Sequence, residues 1–331
     1  MILRYKQLRQ HPRVFQSMTG LRLPEFEELF EEVLPLHTQA YRQHLEAQRQ
    51  QRRQPPRVRA VGGGPAFTLE ARDHLLLVVV WLRQYPTHEV LAYLFGVSDS
   101  SVSRFIQWVL PLLEQSGRDT MRMPDPGKKQ RRTLDALLQA TPQLAVLIDS
   151  FQQRVQRPRS GSGSGSGSGS ERPPKDVFYS GKKKQHTLKS QVAVDEISGQ
   201  IVDVWHSVPG PTADLKLLQE SGLLERLPVG VGALGDLAYL GLGALHPQGL
   251  EMGATPRRKP RGRERPPEDA AYNTAFARRR ITVEHSIGRL RRYQSLTQMD
   301  RHHRQKHTSR VCAVAGLVNR QIEQRRPALF N

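Results

Sequence analysis

Glu284 is the one acid in the arginine-rich stretch Arg278–Arg292, RRRITVEHSIGRLRR. Arg280 lies four residues before it and Arg291 seven after, offsets that put all three on roughly one side of a helix. A carboxylate among guanidinium groups is an ordinary surface ion-pair partner when it stands alone. It becomes chemistry when other acids are brought to meet it, and two upstream stretches supply candidates. LAVLID closes on Asp149 and VGALGD closes on Asp236. Short apolar runs of this kind have buried-strand character, and an acid closing such a strand sits where active-site carboxylates gather in α/β sheets. Three carboxylates without a Cys/His cluster form an oxygen-only donor set suited to Mg²⁺ or Mn²⁺. Two such ions clamp the attacking and leaving oxygens of an in-line phosphoryl displacement. The chemistry expected of Asp149, Asp236 and Glu284 is therefore two-metal phosphodiester cleavage or transfer, with all three acids as ligands.

The charge balance fits such a substrate. The 331 residues carry 50 Lys and Arg against 31 Asp and Glu, a net charge of +19, which points to a polyanionic partner. From Glu251 onward the count is 19 Lys and Arg to 7 Asp and Glu, so most of the excess lies there. Cys312 is the only cysteine, which excludes internal disulfides and Cys-rich zinc sites. The longest apolar run, Leu75–Leu82, is too short to span a bilayer. Met1–Gln10 lacks the apolar stretch of a signal peptide. A soluble cytoplasmic protein that does not enter membranes is expected, nucleoid-associated in a bacterium.

Several elements must position these residues. Residues 1–60 read as a helical, polar segment, with Pro24–Leu36 apolar at helical spacing and Pro24 suited to a helix start. Residues 61–117 read as a DNA-binding helix-turn-helix. There Thr68 can cap a helix reaching Leu82, Thr87 starts HEVLAYLF, Gly96 ends it, and Ser98 caps DSSVSRFIQWVLPLL. Val102 and Ile106 then face inward, while Ser101, Ser103 and Arg104 face a major groove. Residues 118–140 connect this unit to an α/β nuclease domain, 141–296.

Within that domain, strands Thr187–Asp195 and Ile201–His206 form a hairpin behind the basic turn Lys182, Lys183, Lys184. Thr212 caps a helix carrying Asp214 in its first turn, where a carboxylate suits the helix dipole. A basic loop with Arg257, Arg258 and Lys259 precedes the helix of Glu284, whose apolar stripe is read as Ile281, Ile287 and Leu290 with Val283 at its edge. The turn and the loop are further candidates for DNA contact. Ser160–Ser170 is alternating Gly and Ser, a flexible joint with no part in a core. Residues 297–331 read as a C-terminal basic helix.

The order Asp149, Asp236, Glu284 resembles the DDE transposases, in the branch of the insertion-sequence-five bacterial group and the Harbinger-derived nucleases. The stretches that carry the resemblance are IDSFQQRVQRP, FYSGKKKQHTLK, VPGPTADLKLLQES, GDLAY and the R-x3-E-x6-R of Arg280, Glu284 and Arg291, with the helix-turn-helix before them. Ala277 stands where the family signature has Tyr. The resemblance implies a ribonuclease-H-like domain behind an all-α helix-turn-helix domain, two Mg²⁺ or Mn²⁺ ions, and double-stranded DNA as partner. It further implies a homodimer or higher homo-oligomer that pairs element ends at terminal inverted repeats and joins them to target DNA. Arg280 and Arg291 would orient Glu284 or bind phosphate. Asp214 lies in a family-matching stretch too, but it precedes Glu284 by 70 residues whereas Asp236 precedes it by 48, near the family spacing. Asp236 is the expected second ligand and Asp214 an accessory group. The alternative is a domesticated nuclease, or a helix-turn-helix DNA-binding protein, that does not transpose.

Overall fold

The computed structural model describes residues 3–51, 69–127, 135–157 and 177–325. Its first helices are α1 (Tyr5–Leu8), α2 (Pro12–Thr19) and α3 (Leu23–Gln51). They are less polar than their sequence suggested, because Phe15, Phe26 and Leu29 are fully buried. These side chains pack toward α4 (Ala71–Gln84), whose LLLVVVWL run is buried on every side. A helix apolar all round belongs inside a protein. Its N-terminus is closed by a reciprocal capping box of Glu70 and Asp73; the expected cap Thr68 and the break at 61–65 lie outside the described residues.

The next two helices follow their local signals. α5 (His88–Phe95) begins where Thr87 Oγ1 accepts the Val90 N–H and ends at Gly96, in the left-handed conformation at φ +60°. α6 (Asp99–Asp119) begins where Ser98 Oγ accepts the Ser101 N–H. It runs past the expected end at Leu113, since Leu112, Leu113, Ser116 and Gly117 are buried.

The sheet starts with β1 (Leu144–Arg154), followed by β2 (Tyr179–Ser180), β3 (Gln185–Asp195), β4 (Ile201–Val204) and β5 (Val208–Pro209). After α7 (Asp214–Ser221) come β6 (Val231–Leu234), the short α8 (Leu242–Leu245) and β7 (Gly253–Ala254). β3 is antiparallel to both β1 and β4, while β6 is parallel to β1 and β7 to β6. The order β4-β3-β1-β6-β7, with β1 central, is the ribonuclease-H-like arrangement. Side chains alternate across β1: Ala145, Leu147 and Phe151 join one apolar cluster, Leu144, Val146 and Ile148 the other. Both faces are thus covered, which explains why LAVLI reads as an unbroken apolar run.

Two long helices complete the domain, α9 (Pro267–Leu290) and α10 (His307–Arg325). The C-terminal helix was expected from residue 297. The chain there instead makes a parallel bridge between Val155 and Asp300 before it coils at His307. α10 crosses α6 glycine to glycine: a Cβ at Gly316 would stand 2.3 Å from the Gly117 Cα. That approach packs α6 directly on α10, because either side chain would force the backbones apart. No helix among the described residues is long and apolar enough to cross a membrane.

Candidate functional site

α9 starts well before Arg278, and of the stripe expected from its apolar spacing Val283, Ile287 and Leu290 face inward while Ile281 does not. Ile281 is 52% exposed, while Phe276, Arg279, Val283, Ser286, Ile287 and Leu290 are buried. Arg279 is the reason. Its guanidinium donates to both Glu196 oxygens (2.7 and 3.1 Å), to Thr141 Oγ1 (2.7 Å) and to the Pro142 carbonyl. Arg279 and Glu196 are both fully excluded from solvent, and such a pair survives burial only when its hydrogen bonds are met this completely. About two turns on, Ser286 Oγ donates to the Gly199 carbonyl at 2.6 Å in the β3–β4 turn. These two pins bracket Arg280 and Glu284 and fix the direction in which they project.

Asp149 does not close its strand. β1 continues for five residues, each paired with β3, from Ser150 opposite Gln191 to Arg154 opposite Thr187. Polar residues there do not stop the strand because their side chains find partners: Gln153 Nε2 donates to the Ser295 and Gln298 carbonyls at 2.9 and 2.7 Å. Asp149 therefore sits mid-strand at the centre of the sheet. Its Oδ1 accepts the Ser150 N–H at 2.7 Å and its Oδ2 accepts from Arg280 Nη2 at 3.3 Å. Burial pushes the carboxyl up to about 6; Ser150 and Arg280 oppose the rise, and the negative charges of Asp236 and Glu284 add to it. Arg280, expected beside Glu284, is thus the ion-pair partner of Asp149. Glu284 itself is exposed, as is Arg291 at the C-cap of α9.

Asp236 lies two residues beyond β6 rather than ending it. Its Oδ1 accepts the Ala238 N–H at 2.9 Å and so caps a single helical turn, Leu237–Tyr239. Gly235 before it must be small, since a Cβ there would stand 2.6 Å from that of Tyr239. The Tyr239 hydroxyl is buried without a hydrogen-bond partner among the described residues. Burial holds its proton tightly, and the charges of Asp214, Asp149 and Asp236 hold it further.

Asp214 is the first residue of α7, whose N-cap is Ala213; Thr212, the expected cap, makes no such bond and gives its carbonyl to Lys189 Nζ at 2.5 Å. Lys189 also pairs with Asp214 at 3.0 Å, and Ser150 Oγ donates to Asp214 at 2.5 Å. Ser150 follows Asp149 on the strand, so the two side chains leave β1 on opposite faces. Asp214 is accordingly bound on the α7 side, whereas Asp149 meets α9.

Lys189, Ser150, Tyr239 and the Arg279–Glu196 pair were not anticipated. A lysine within the VAV-rich strand β3 was a signal, since buried ammonium groups demand partners. Nothing in the residue pattern separates Arg279 from its arginine neighbours.

Of the residues expected on DNA, Arg104 is exposed while Ser101 and Ser103 are half-buried. Arg104 is held on its own helix by the Ser100 carbonyl (3.2 Å) and Ser101 Oγ (3.4 Å). Lys182, Lys183 and Lys184 form an exposed turn between β2 and β3. Arg258 and Lys259 are exposed, while Arg257 pairs with Asp269 at 2.9 Å and lies over the Tyr272 ring. The Gly/Ser tract, 160–170, lies outside the described residues.

Residues 148–319 match the family of DDE superfamily endonucleases, and residues 67–119 match the helix-turn-helix of DDE superfamily endonucleases. A probable transposase for insertion sequence element IS702, from Microchaete diplosiphon, is 27% identical over 263 residues, covering 79% of this chain and 83% of that protein. Among solved structures, the pre-cleavage Mos1 transpososome overlaps 70% of this chain and 81% of its own at 13% identity and a TM-score of 0.22. The Mos1 mariner paired-end complex with Mn overlaps 79% and 96% at 13% identity and a TM-score of 0.17. Overlaps that loose carry no weight, and the fold assignment rests on the strand order.

Proposed function

The chain belongs to the DDE superfamily endonucleases, and from that premise we propose that it is a transposase, cutting DNA at the terminal inverted repeats of an insertion sequence and joining the freed 3′-OH to target DNA. The observation that carries this reading is Asp149, a half-buried mid-sheet carboxyl raised to about 6 within the field of Asp236 and Glu284. Perturbed acids of this kind mark functional sites.

Those three acids fit the divalent ions that the family implies, in donor type and in charge. Their repulsion is what a dication relieves, although among the described residues no group of three acids or histidines already stands close enough to hold a metal. Asp149, Asp236 and Glu284 would hold Mg²⁺ or Mn²⁺, which when bound stabilises charge on the attacking and leaving oxygens. Arg280 keeps Asp149 ionised and oriented. Arg291, exposed one turn past the pinned part of α9, is placed to take a DNA phosphate. Lys189 and Ser150 hold Asp214 as a scaffold beneath the site. α6 would enter the major groove with Ser101, Ser103 and Arg104, while Lys182–Lys184 and Arg257–Lys259 bind backbone phosphates. A homodimer or larger homo-oligomer would pair two element ends.

The test is a Mg²⁺-dependent nicking and joining assay on the DNA that flanks the gene in its source genome. Asp236→Asn should remove cleavage at every Mg²⁺ or Mn²⁺ concentration, while Asp214→Asn leaves it measurable. A dead Asp214→Asn beside an active Asp236→Asn would reverse the ligand assignment. Nicking without joining would point to a nuclease that no longer transposes, and neither would leave a DNA-binding protein.

A further inference from the structure

Between the helix-turn-helix unit and the segment leading into α10 lies a cavity of about 470 Å³. Its floor is Trp81 from α4, Ile106 and Leu110 from α6, and Arg310 from α10, all buried. Its rim includes Lys306, which is exposed. The floor keeps donors unmet, and on the wall His88 Nε2 is likewise without a partner among the described residues. Trp81 Nε1 and Arg310 Nε and Nη1 have no hydrogen-bond partner among the described residues, although both side chains are almost wholly excluded from solvent. The remaining arginine nitrogen, Nη2, donates to Asp300 at 2.5 Å. Asp300 is used up there: its other oxygen accepts the Tyr85 hydroxyl at 3.3 Å and the His302 N–H at 3.0 Å. No acid lines the cavity itself.

Buried donors with nothing to donate to are uncommon in proteins because their desolvation goes uncompensated. Three of them around one cavity, two on one guanidinium, with an ammonium at its mouth, describe a ligand of negative charge rich in acceptors. His302 reports the same field, its pKa lowered to about 4 by burial first and by the Arg310 charge second. A phosphate group presents more acceptor oxygens than a carboxylate, and arginine is suited to it.

We propose that this cavity is a phosphate-binding site, distinct from the carboxylate centre, in which Trp81 Nε1 and Arg310 donate to one phosphate group and Lys306 closes over it. The phosphate has two possible sources, the backbone of bound DNA or a free phosphate or nucleotide. Ser103 and Gln107 of α6 border the cavity, so a DNA phosphate held there would lock the groove-facing helix to α10 and the nuclease sheet. Only that DNA source rests on the transposase reading; the phosphate site does not.

The full chain, free of divalent metal, is titrated with inorganic phosphate against chloride at matched ionic strength, followed by thermal unfolding and tryptophan fluorescence. A saturable rise in Tm with phosphate is expected. Trp81→Phe, which keeps the ring and loses the donor, and Lys306→Ala should each weaken the apparent Kd roughly tenfold. A phosphate response no larger than that of chloride, or one that both variants keep unchanged, overturns the site. A labelled duplex then separates the sources. If DNA supplies the phosphate, both variants weaken duplex binding roughly tenfold, and inorganic phosphate competes beyond its salt effect. If the source is free phosphate, duplex binding is untouched while saturation by phosphate is lost. A chain that cuts no DNA yet shows the variant-sensitive saturation keeps this site and loses the transposase reading; a cutting chain without saturation does the reverse.

Discussion

Arg279 and Arg280 are adjacent, carry the same side chain and live in opposite conditions. Arg279 is sealed in the core, and its guanidinium gives four hydrogen bonds to three residues. Arg280, half-buried, makes one long contact to Asp149, and its Nε has no partner among the described residues. The acids differ in the same way. Glu196 gives both its oxygens to Arg279, while Asp149 is crowded by two further negative charges. A pair with every bond met holds a helix in place. A pair with unmet capacity and repulsion left in it has room for something else, and a metal or a phosphodiester is what such a place can accept.

The largest effect should come from breaking the satisfied pair. Arg279→Ala or Glu196→Ala strands a buried charge, which costs about 3–5 kcal/mol. Urea unfolding measures it. A loss below about 1 kcal/mol, the ceiling for exposed pairs, would mean the two residues are not buried together. Ser286→Ala, which removes the second pin on α9, should cost less, about 1 kcal/mol.

Removing the unsatisfied acid should do the opposite. Asp149 has a folded pKa of about 6, raised from 3.8. Its protonated form is the one the fold favours, so its contribution to stability is full below pH about 3.8 and is lost as pH rises through about 6. In EDTA at neutral pH, Asp149→Asn should therefore be more stable than the parent, by on the order of 2 kcal/mol. The gain should vanish toward pH 4. A variant less stable than the parent at neutral pH would show that Asp149 is structural, like Glu196, and would dissolve the contrast. Arg280→Gln should change stability by only about 1 kcal/mol while moving the Asp149 transition to higher pH. An unchanged midpoint would mean Arg280 is not its charge partner.

Much of this arrangement could be read from residue order, and the rest fails for identifiable reasons. The turn-forming chemistry was explicit: Thr87, Gly96 and Ser98 start and stop helices as their side chains and φ preferences require. The unbroken apolar run of β1 announced a strand covered on both faces, and Asp149 lies within the field of Asp236 and Glu284, although among the described residues no three acids stand together as a metal site. Asp149 was misread as a strand end because polarity was taken to end a strand, whereas Gln153 pairs with the backbone of the Ser295–Gln298 turn, far along the chain. Likewise, α10 starts at His307 rather than at 297, because the bridge from Asp300 to Val155 holds the preceding chain extended. Hydrophobic periodicity counts arginine as polar, so it could not foresee a helix face built around Arg279.

That last failure yields the smallest and sharpest expectation on α9. A stripe of Ile281, Ile287 and Leu290 would make Ile281 a core residue. A face through Arg279, Val283, Ser286 and Leu290 turns Ile281 outward, where it is half exposed, beside Arg278. The two faces differ in what truncation costs. Leu290→Ala, fully buried, should lose about 2–5 kcal/mol, whereas Ile281→Ala should stay within about 0.5 kcal/mol of the parent, as surface changes do. Because alanine is the better helix former, the sign could even favour the variant. Both substitutions lie on one helix and share one unfolding transition, so their difference is insensitive to how the rest of the chain melts. Equal losses at the two positions would mean that α9 is rotated from the orientation that its pins at Arg279 and Ser286 impose. Arg280 would then no longer reach Asp149.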